Sequence, residues 1–177
     1  SPVPPTLCET VQRGTEVHHR HRKQTGGAGQ FADVVIAMRP EPRGAGFSFT
    51  ETVKGGAVPR NYIPSVEEGA RDALVEGPLG YPVVDLSVEL KDGKAHSVDS
   101  SDHAFRTAGK NALREAMAEV GTVLLQPIMK IDIHVPSIFT GALVPLVSGL
   151  KGQVLGFRAS DDAAGWDVFE MQLPMAS

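Results

Sequence analysis

Cysteine is almost absent from this sequence, since Cys8 is the only one among 177 residues. A single thiol excludes an internal disulfide and a zinc site built from cysteines. No apolar run approaches the ~20 residues that a membrane-spanning helix requires. The N-terminal segment SPVPPTL lacks the charged and then apolar plan of a signal peptide. We therefore expect a soluble, cytoplasmic protein that makes no membrane contact.

Positive charge is also scarce. Seventeen Lys and Arg residues against twenty-one Asp and Glu residues give a net charge of -4. Any contact with nucleic acid would therefore need a local basic patch, because the whole chain carries no positive field. Hydrophobic residues at 41% and charged residues at 21% predict a packed globular chain of one large domain or two small ones.

Nucleotide-binding and catalytic motifs are missing as well. The sequence contains neither a GxxxxGK[ST] loop nor a GxSxG elbow. Residues 96–101 include every residue type of a serine hydrolase triad, but Ser and Asp beside a helix start usually cap that helix. A hydrolase using Ser100 and His96 is kept as the last alternative. We predict no catalytic residue, metal or cofactor in this chain.

Hydrophobic periodicity predicts two α+β modules after a proline-rich tail or linker at residues 1–8. The first module, residues 9–123, should begin with a long hairpin whose tip is rich in glycine, and His96 should project freely from a later loop. The second, residues 124–177, reads β-α-β-β. Further predicted elements are strands at 47–53 and 84–90, the latter ended by an Asp92-Gly93 turn, and helices near 64–74 and 102–120.

One charged segment is prominent. Residues 18–23 read HHRHRK and lie directly before the glycine-rich stretch QTGGAGQ. Basic side chains beside backbone N–H groups freed by glycine turns can neutralise and hold phosphates. The run therefore favours contact with nucleic acid, and the alternatives are a solvated strand face and a metal site at His19 and His21, for which no nearby Cys, Asp or Glu completes the ligand set.

Four segments resemble, in order, characteristic segments of translational elongation factor G and its paralogues. They are HRKQTGGAGQFADV, GGAVPRNYIPSVEEG, GYPVVDLSVELKDGKAHSVDSSDHAF and LLQPIMKIDIHVP. The resemblance, over residues 9 to about 160, implies an α+β fold. Domain IV, of the ribosomal protein S5 domain 2-like type, would be followed by the start of a ferredoxin-like domain V. GTP and magnesium would bind only in an N-terminal domain outside this chain.

The resemblance also implies a role and a site. In that family the tip of domain IV enters the small-subunit decoding site and contacts tRNA and mRNA during translocation. The implied partners are the ribosome, at the decoding site and the large-subunit factor site, tRNA and mRNA. The RNA-binding residues, with two arginines added from the basic run, would be Arg20, Arg22, Lys23, Gln24, Thr25, Gly26, Gly27, His96, Ser97, Val98, Asp99 and Ser100. The alternative is a paralogue acting in ribosome recycling, rescue or ribosomal protection.

Two departures from the family pattern suggest a divergent paralogue. Ala28 stands where a basic residue is common, and the helix end at residues 145–152 keeps only Lys151 of the usual paired arginines. A ferredoxin-like domain also calls for another helix and strand after residue 177. The strand at 128–135 should therefore present an unpaired edge, through which the isolated chain could form a homodimer.

Overall fold

The computed structural model describes residues 7–174, and within that range the side chain of Thr25 is left out of the description. The chain divides into a unit spanning Leu7–Leu125 and a second unit that begins at Gln126. Most of the predicted tail at residues 1–8 lies outside the described residues, and Cys8 already belongs to the first strand. No helix among residues 7–174 is long and apolar enough to cross a membrane.

The first unit combines a mixed sheet with two helices. In chain order its elements are β1 Cys8–Thr10, β2 Thr15–Thr25, β3 Ala28–Pro40, β4 Phe47–Glu51, α1 Ile63–Ala73, β5 Leu86–Lys94, α2 Asp102–Val120 and β6 Val123–Leu125. The main sheet has the order β2-β3-β5-β4, in which β4 runs parallel to β5 and the other pairs are antiparallel. The short strands β1 and β6 pair with each other.

Alternating apolar residues of the strands form the core with the apolar stripes of both helices. Buried residues include Val34, Ile36, Met38, Leu86, Val88 and Leu90 on the strands and Phe105, Ala108, Ala112, Leu113 and Ala116 on α2. The two helices approach closely, since a Cβ added at Gly69 of α1 would collide with the carbonyl oxygen of Arg106. Helix α2 begins where predicted, because the Ser101 hydroxyl accepts from the N–H of Ala104 at 3.1 Å.

The predicted hairpin with a glycine tip is present. Strands β2 and β3 pair from Thr15↔Met38 to Thr25↔Ala28, which leaves Gly26 and Gly27 as a two-residue turn. Both have positive φ, 58° and 112°, and glycine adopts such angles without steric cost. A long, narrow ribbon thus ends in a turn that carries no side chain.

The predicted turn at Asp92-Gly93 is wrong. Strand β5 continues through both residues to Lys94, and Gly93 pairs with Val34 of β3. A Cβ at Gly93 would collide with the carbonyl oxygen of Asp33. Glycine is required here for a close approach between strands, which a sequence pattern does not distinguish from a turn.

A buried carboxylate joins distant segments of the first unit. Glu9 of β1 is 0% exposed and accepts hydrogen bonds from the N–H groups of Leu79 (3.0 Å) and Tyr81 (2.8 Å) and from the hydroxyl of Thr122 (2.7 Å). Buried charges are tolerated when several donors satisfy them. Glu9 therefore fixes β1 against the loop before β5 and the residues after α2.

The second unit follows the predicted β-α-β-β pattern. Its elements are β7 Ile128–Pro136, a 3₁₀ turn at Ser137–Phe139, α3 Thr140–Gly149, β8 Gln153–Ala159 and β9 Trp166–Pro174. The antiparallel sheet has the order β7-β9-β8, so within the described residues β7 is an edge strand. Its small core contains Val147, Phe169 and Met171. Apolar side chains that stay exposed around α3 are Ile138, Phe139, Val144, Leu146 and Leu150.

Candidate nucleic-acid interface

The two loops that the sequence singled out meet at one end of the first unit. The hydroxyl of Ser100 donates to the carbonyl oxygen of Phe31 at 2.7 Å and accepts from the backbone N–H of His96 at 2.9 Å. The N–H of Phe31 donates to the carbonyl oxygen of Asp99 at 2.9 Å. We call residues 96–101 the second loop and residues 22–31 the hairpin tip. The two bonds at Phe31 hold the second loop against the hairpin tip, and the bond from His96 to Ser100 closes the second loop on itself.

His96 is exposed, as predicted, but it is not free. Its ring stacks on that of Phe31, with the centroids 3.8 Å apart and the planes 4° from parallel. Phe31 is itself only 4% exposed, so one face of the imidazole rests on a fixed surface. The expectation of a freely projecting side chain is therefore wrong. The structure presents His96 to solvent in a defined orientation.

Some side chains of the basic run in β2 are paired with neighbouring residues, and others are open to solvent. Residues directly opposite in an antiparallel pair share a face, which places Arg20 beside Asp33. The carboxylate of Asp33, 4% exposed, accepts from Arg20 Nε at 3.1 Å and lies 2.8 Å from His18 Nε2. Arg20 was predicted to contact RNA, but its charge is offset by this ion pair. It supports the strand more than it supplies an open cation.

The other histidines of the run also have internal partners. His19 Nδ1 lies 2.7 Å from a carboxylate oxygen of Glu115 on α2, and His21 Nε2 lies 2.8 Å from the side-chain oxygen of Gln30. Among residues 7–174 no group of three or more His, Cys, Asp or Glu side chains could hold a metal ion.

Arg22 and Lys23 are the open cations of the hairpin tip. Both are exposed, and neither side chain forms a hydrogen bond or ion pair with another residue that the structure describes. Together with Gln24 and His96 they line a small cleft of about 40 Å³. Gly29 and the acidic Asp99 also line this cleft, so its cationic and amide groups lie beside glycine backbone and one carboxylate.

The remaining predicted residues of the second loop lie at the same end. Ser97 and Val98 are exposed, and Val98 is 86% exposed although it is apolar. Asp99 lies against the hairpin, since a Cβ added at Gly29 would sit 2.8 Å from its carboxylate. Glycine at position 29 therefore permits the close approach of the two loops.

A serine hydrolase site is not assembled here. The Ser100 hydroxyl is engaged by two backbone groups, and the His96 ring stacks on Phe31 and makes no hydrogen bond to that hydroxyl in the described part of the chain. Catalysis by a serine needs that bond. The geometry gives the hydrolase alternative no support.

Sequence reasoning did not single out Phe31, which carries His96 and accepts the Ser100 bond. A signal was available. Phe31 is an aromatic residue on a strand face that also carries Arg20, Arg22 and Asp33, and an aromatic ring beside such charged residues needs a covering partner.

Comparison with known proteins identifies the first unit. The family model for elongation factor G, domain IV, matches residues 6–121. The chain belongs to the elongation factor G domain IV family. The resemblance drawn from the four sequence segments is therefore confirmed.

Curated relatives carry two names. The chain is 50% identical over 168 residues to an elongation factor G-like protein of Synechocystis and 48% identical over 171 residues to one of Mycobacterium tuberculosis, in each case over 95% of this chain. It is 42% identical over 170 residues to elongation factor G of Jannaschia, over 96% of this chain. The aligned part covers 25%, 23% and 24% of these relatives, so the chain spans about a quarter of their length.

A solved structure supports the fold. A protein of Thermus thermophilus superposes with a TM-score of 0.81 at 31% identity, over 98% of this chain and 26% of that one. The first unit has the predicted S5 domain 2-like α+β fold, and the β-α-β-β unit after it has the order of strands expected of an incomplete ferredoxin-like domain. The chain thus corresponds to part of a translation elongation factor.

Proposed function

We propose that this chain is the RNA-contacting part of an elongation factor G-like protein that promotes translocation of tRNA and mRNA. Its hairpin tip and second loop would enter the small-subunit decoding site. The two hydrogen bonds that join Phe31 to Asp99 and Ser100 form a clamp between the hairpin tip and the second loop. The observation that carries the proposal is this clamp, because it presents Arg22, Lys23, Gln24 and His96 together at one end of the domain.

The chemistry of this end suits recognition of RNA by shape. Arg22 and Lys23 can neutralise phosphates, and Gln24 and His96 can form hydrogen bonds with ribose hydroxyls. The side-chain-free turn at Gly26 and Gly27 lets backbone approach a groove closely. A translocase must accept every codon. Contacts to phosphates and 2′-hydroxyls meet that requirement, whereas readout of base edges would defeat it.

GTP hydrolysis and contact with the large ribosomal subunit would not belong to the hairpin tip. Residues 7–174 carry no phosphate-binding loop, so GTP hydrolysis would belong to a domain outside this chain. The second unit would contribute to contact with the large subunit at the factor site. The chain would meet the ribosome, tRNA and mRNA in the cytoplasm.

A paralogue that acts in ribosome recycling, rescue or ribosomal protection is the second candidate. The relatives at 50% and 48% identity are named elongation factor G-like, and the relative named elongation factor G is 42% identical. The exposed Ala28 adds no cation beside the turn, and Lys151 is the one cation in residues 145–152 at the end of α3. A chimera in which this chain replaces the matching segment of the Jannaschia factor should support tRNA movement if the chain is a translocase part. A chimera that separates the ribosomal subunits but does not move tRNA and mRNA would favour the second candidate.

The direct test is RNA binding by the 177-residue chain. Replacing Arg22 and Lys23 together by Ala removes two open cations. At ~0.9 per phosphate contact, the slope of log affinity against log salt should become shallower by about 1.8, and affinity at 0.1 M salt should fall about 60-fold. Fluorescence anisotropy with a labelled RNA hairpin measures both.

A matched control removes two cations elsewhere. Arg114→Ala with Lys91→Ala makes the same change in net charge, and both residues lie outside the tip. If the tip variant binds RNA with unchanged affinity and salt slope, or if the control loses as much, the tip is not the RNA site.

A further inference from the structure

A second, larger groove adjoins the second loop. It has a volume of about 570 Å³ and lies between the loop at residues 55–62 and the end of β5. This is within the ~300 to 1,000 Å³ range of typical small-ligand sites. The loop belongs to the segment GGAVPRNYIPSVEEG, which contributed to the family resemblance but has no part in the function proposed above. The residues lining the groove are Gly56, Ala57, Pro59, Asn61, Tyr62, Gly93, Lys94, Ala95, His96 and Ser97.

The charge of this groove is positive. None of its lining residues, all within the described range, is acidic, and Lys94 is exposed with no ion pair to any described residue. Lys94 is opposite Asp33 in register, but the carboxylate of Asp33 is already bonded to His18 and Arg20. The neighbouring groove of about 700 Å³ differs, since Glu16, Glu89 and Asp92 line it with two lysines. Of these two grooves, the one lined by Lys94 is therefore the more favourable for an anionic ligand.

The wall of the groove is fixed to the fold. Val58 is 1% exposed and anchors the loop in the core. Tyr62 stacks on Phe105 with centroids 4.8 Å apart, and its hydroxyl donates to the carbonyl oxygen of Ser100 at 3.3 Å. The loop at 55–62 is thus attached to the second loop through Tyr62. A ligand bound to the second loop would therefore also meet the loop at 55–62, which is already fixed in place.

The polar groups of the groove match one kind of ligand. Asn61 and Ser97 are exposed and can donate to and accept from hydroxyl groups, and Lys94 can neutralise a phosphate. The groove shares His96 and Ser97 with the second loop, so a strand bound at the tip can continue into it. A backbone of alternating phosphates and ribose hydroxyls fits this sequence of groups.

We infer that the groove between residues 55–62 and Lys94 binds the sugar-phosphate backbone of RNA. It extends the tip interface by a third segment, in which Lys94 takes a phosphate and Asn61 a ribose 2′-hydroxyl. This inference rests on the proposed function, because it assumes that the tip is bound to RNA.

The test compares variants of the 177-residue chain by anisotropy with the labelled RNA hairpin. Lys94→Ala should weaken binding about eightfold at 0.1 M salt and make the salt slope shallower by ~0.9, as expected for one lost phosphate contact. Lys94→Arg should restore both. Asn61→Ala should weaken binding to RNA without changing the slope, and the effect should disappear with a DNA hairpin of the same sequence.

Lys91→Ala is the matched control, since Lys91 lies on the same strand and lines the acidic groove. Its affinity should stay within about twofold of the parent, because it removes no phosphate contact. If Lys94→Ala and Asn61→Ala bind like the parent while the Arg22 and Lys23 variant is weakened, the groove is not an RNA site and the proposed function stands. If the Arg22 and Lys23 variant is also unchanged, both are overturned.

Discussion

Replacing Ser100 by Ala should separate the positioning of His96 from the charge of the tip. The change removes the hydroxyl that joins the second loop to the hairpin, and no charge is altered. The Ser100 bond to Phe31 has an acceptor on a buried residue, so its loss should cost ~1.5 kcal/mol. The His96 N–H can turn to water, and its loss should cost ~0.5 kcal/mol.

The total is ~2 kcal/mol. With an unfolding entropy of ~2.1 cal/mol/K per residue, a unit of about 120 residues should lose roughly 8 °C in Tm. Thermal unfolding followed by circular dichroism measures the shift, and hydrogen exchange should show faster exchange at residues 96–101. Affinity for RNA should fall because His96 is less well oriented, but the salt slope should stay the same.

Ser97→Ala is the control for this substitution. Ser97 is exposed in the same loop, and its side chain forms no hydrogen bond with any described residue. It should melt within about 1 °C of the parent, as exposed substitutions away from structural contacts usually do. A Ser100→Ala variant with the same Tm and the same exchange rates would show that the clamp does not hold the loop.

Three further outcomes follow from the structure. Glu9→Ala removes a buried acceptor of three hydrogen bonds and should destabilise the first unit by ~3 kcal/mol or more, measured by urea unfolding, and a loss below about 1 kcal/mol would contradict this role. The hydrogen bond from Arg106 lowers the pKa of Asp72, so the stability this pair gives is present above the unfolded pKa of about 3.9 and is lost as pH falls through the lower folded value. Arg106→Gln should therefore raise the pKa of Asp72 in an NMR titration, and an unchanged midpoint would refute the cause given. The edge strand at 128–135 should pair two copies of the isolated chain, and a sedimentation profile that stays monomeric at high concentration would exclude the homodimer.

Local sequence patterns predicted the turn and the strands of the site, but they did not predict which of these segments contact each other. The glycine tip followed from residues 24–30, because two adjacent glycines between extended segments allow few structures. The contact between the hairpin and the second loop did not follow from any pattern. About 65 residues separate Phe31 from His96, and only the family resemblance placed the hairpin tip and the second loop in one site.

Arg20 and Gly93 show where sequence reasoning ended. The neutralisation of Arg20 depends on Asp33, which lies directly opposite because of the register of the hairpin. An isolated basic run carries no information about that register. Gly93 resembles a turn residue beside Asp92, yet its missing side chain serves the close approach of β5 to Asp33. In both cases the sequence lacks a contact that appears only when the strands are paired.

The central claim is that the tip of this domain faces the decoding site. Directed hydroxyl-radical probing tests it most directly. An iron chelate would be attached at Val98→Cys in a Cys8→Ser background, because Val98 lies in the second loop and is 86% exposed, and the chain would then be bound to bacterial ribosomes. The exposed Leu155 of the second unit, as Leu155→Cys, provides the control position. We expect cleavage from position 98 in small-subunit RNA around the decoding site and in mRNA, and none of these cuts from position 155. The same cuts from both positions, or none in the small subunit from position 98, would contradict the claim.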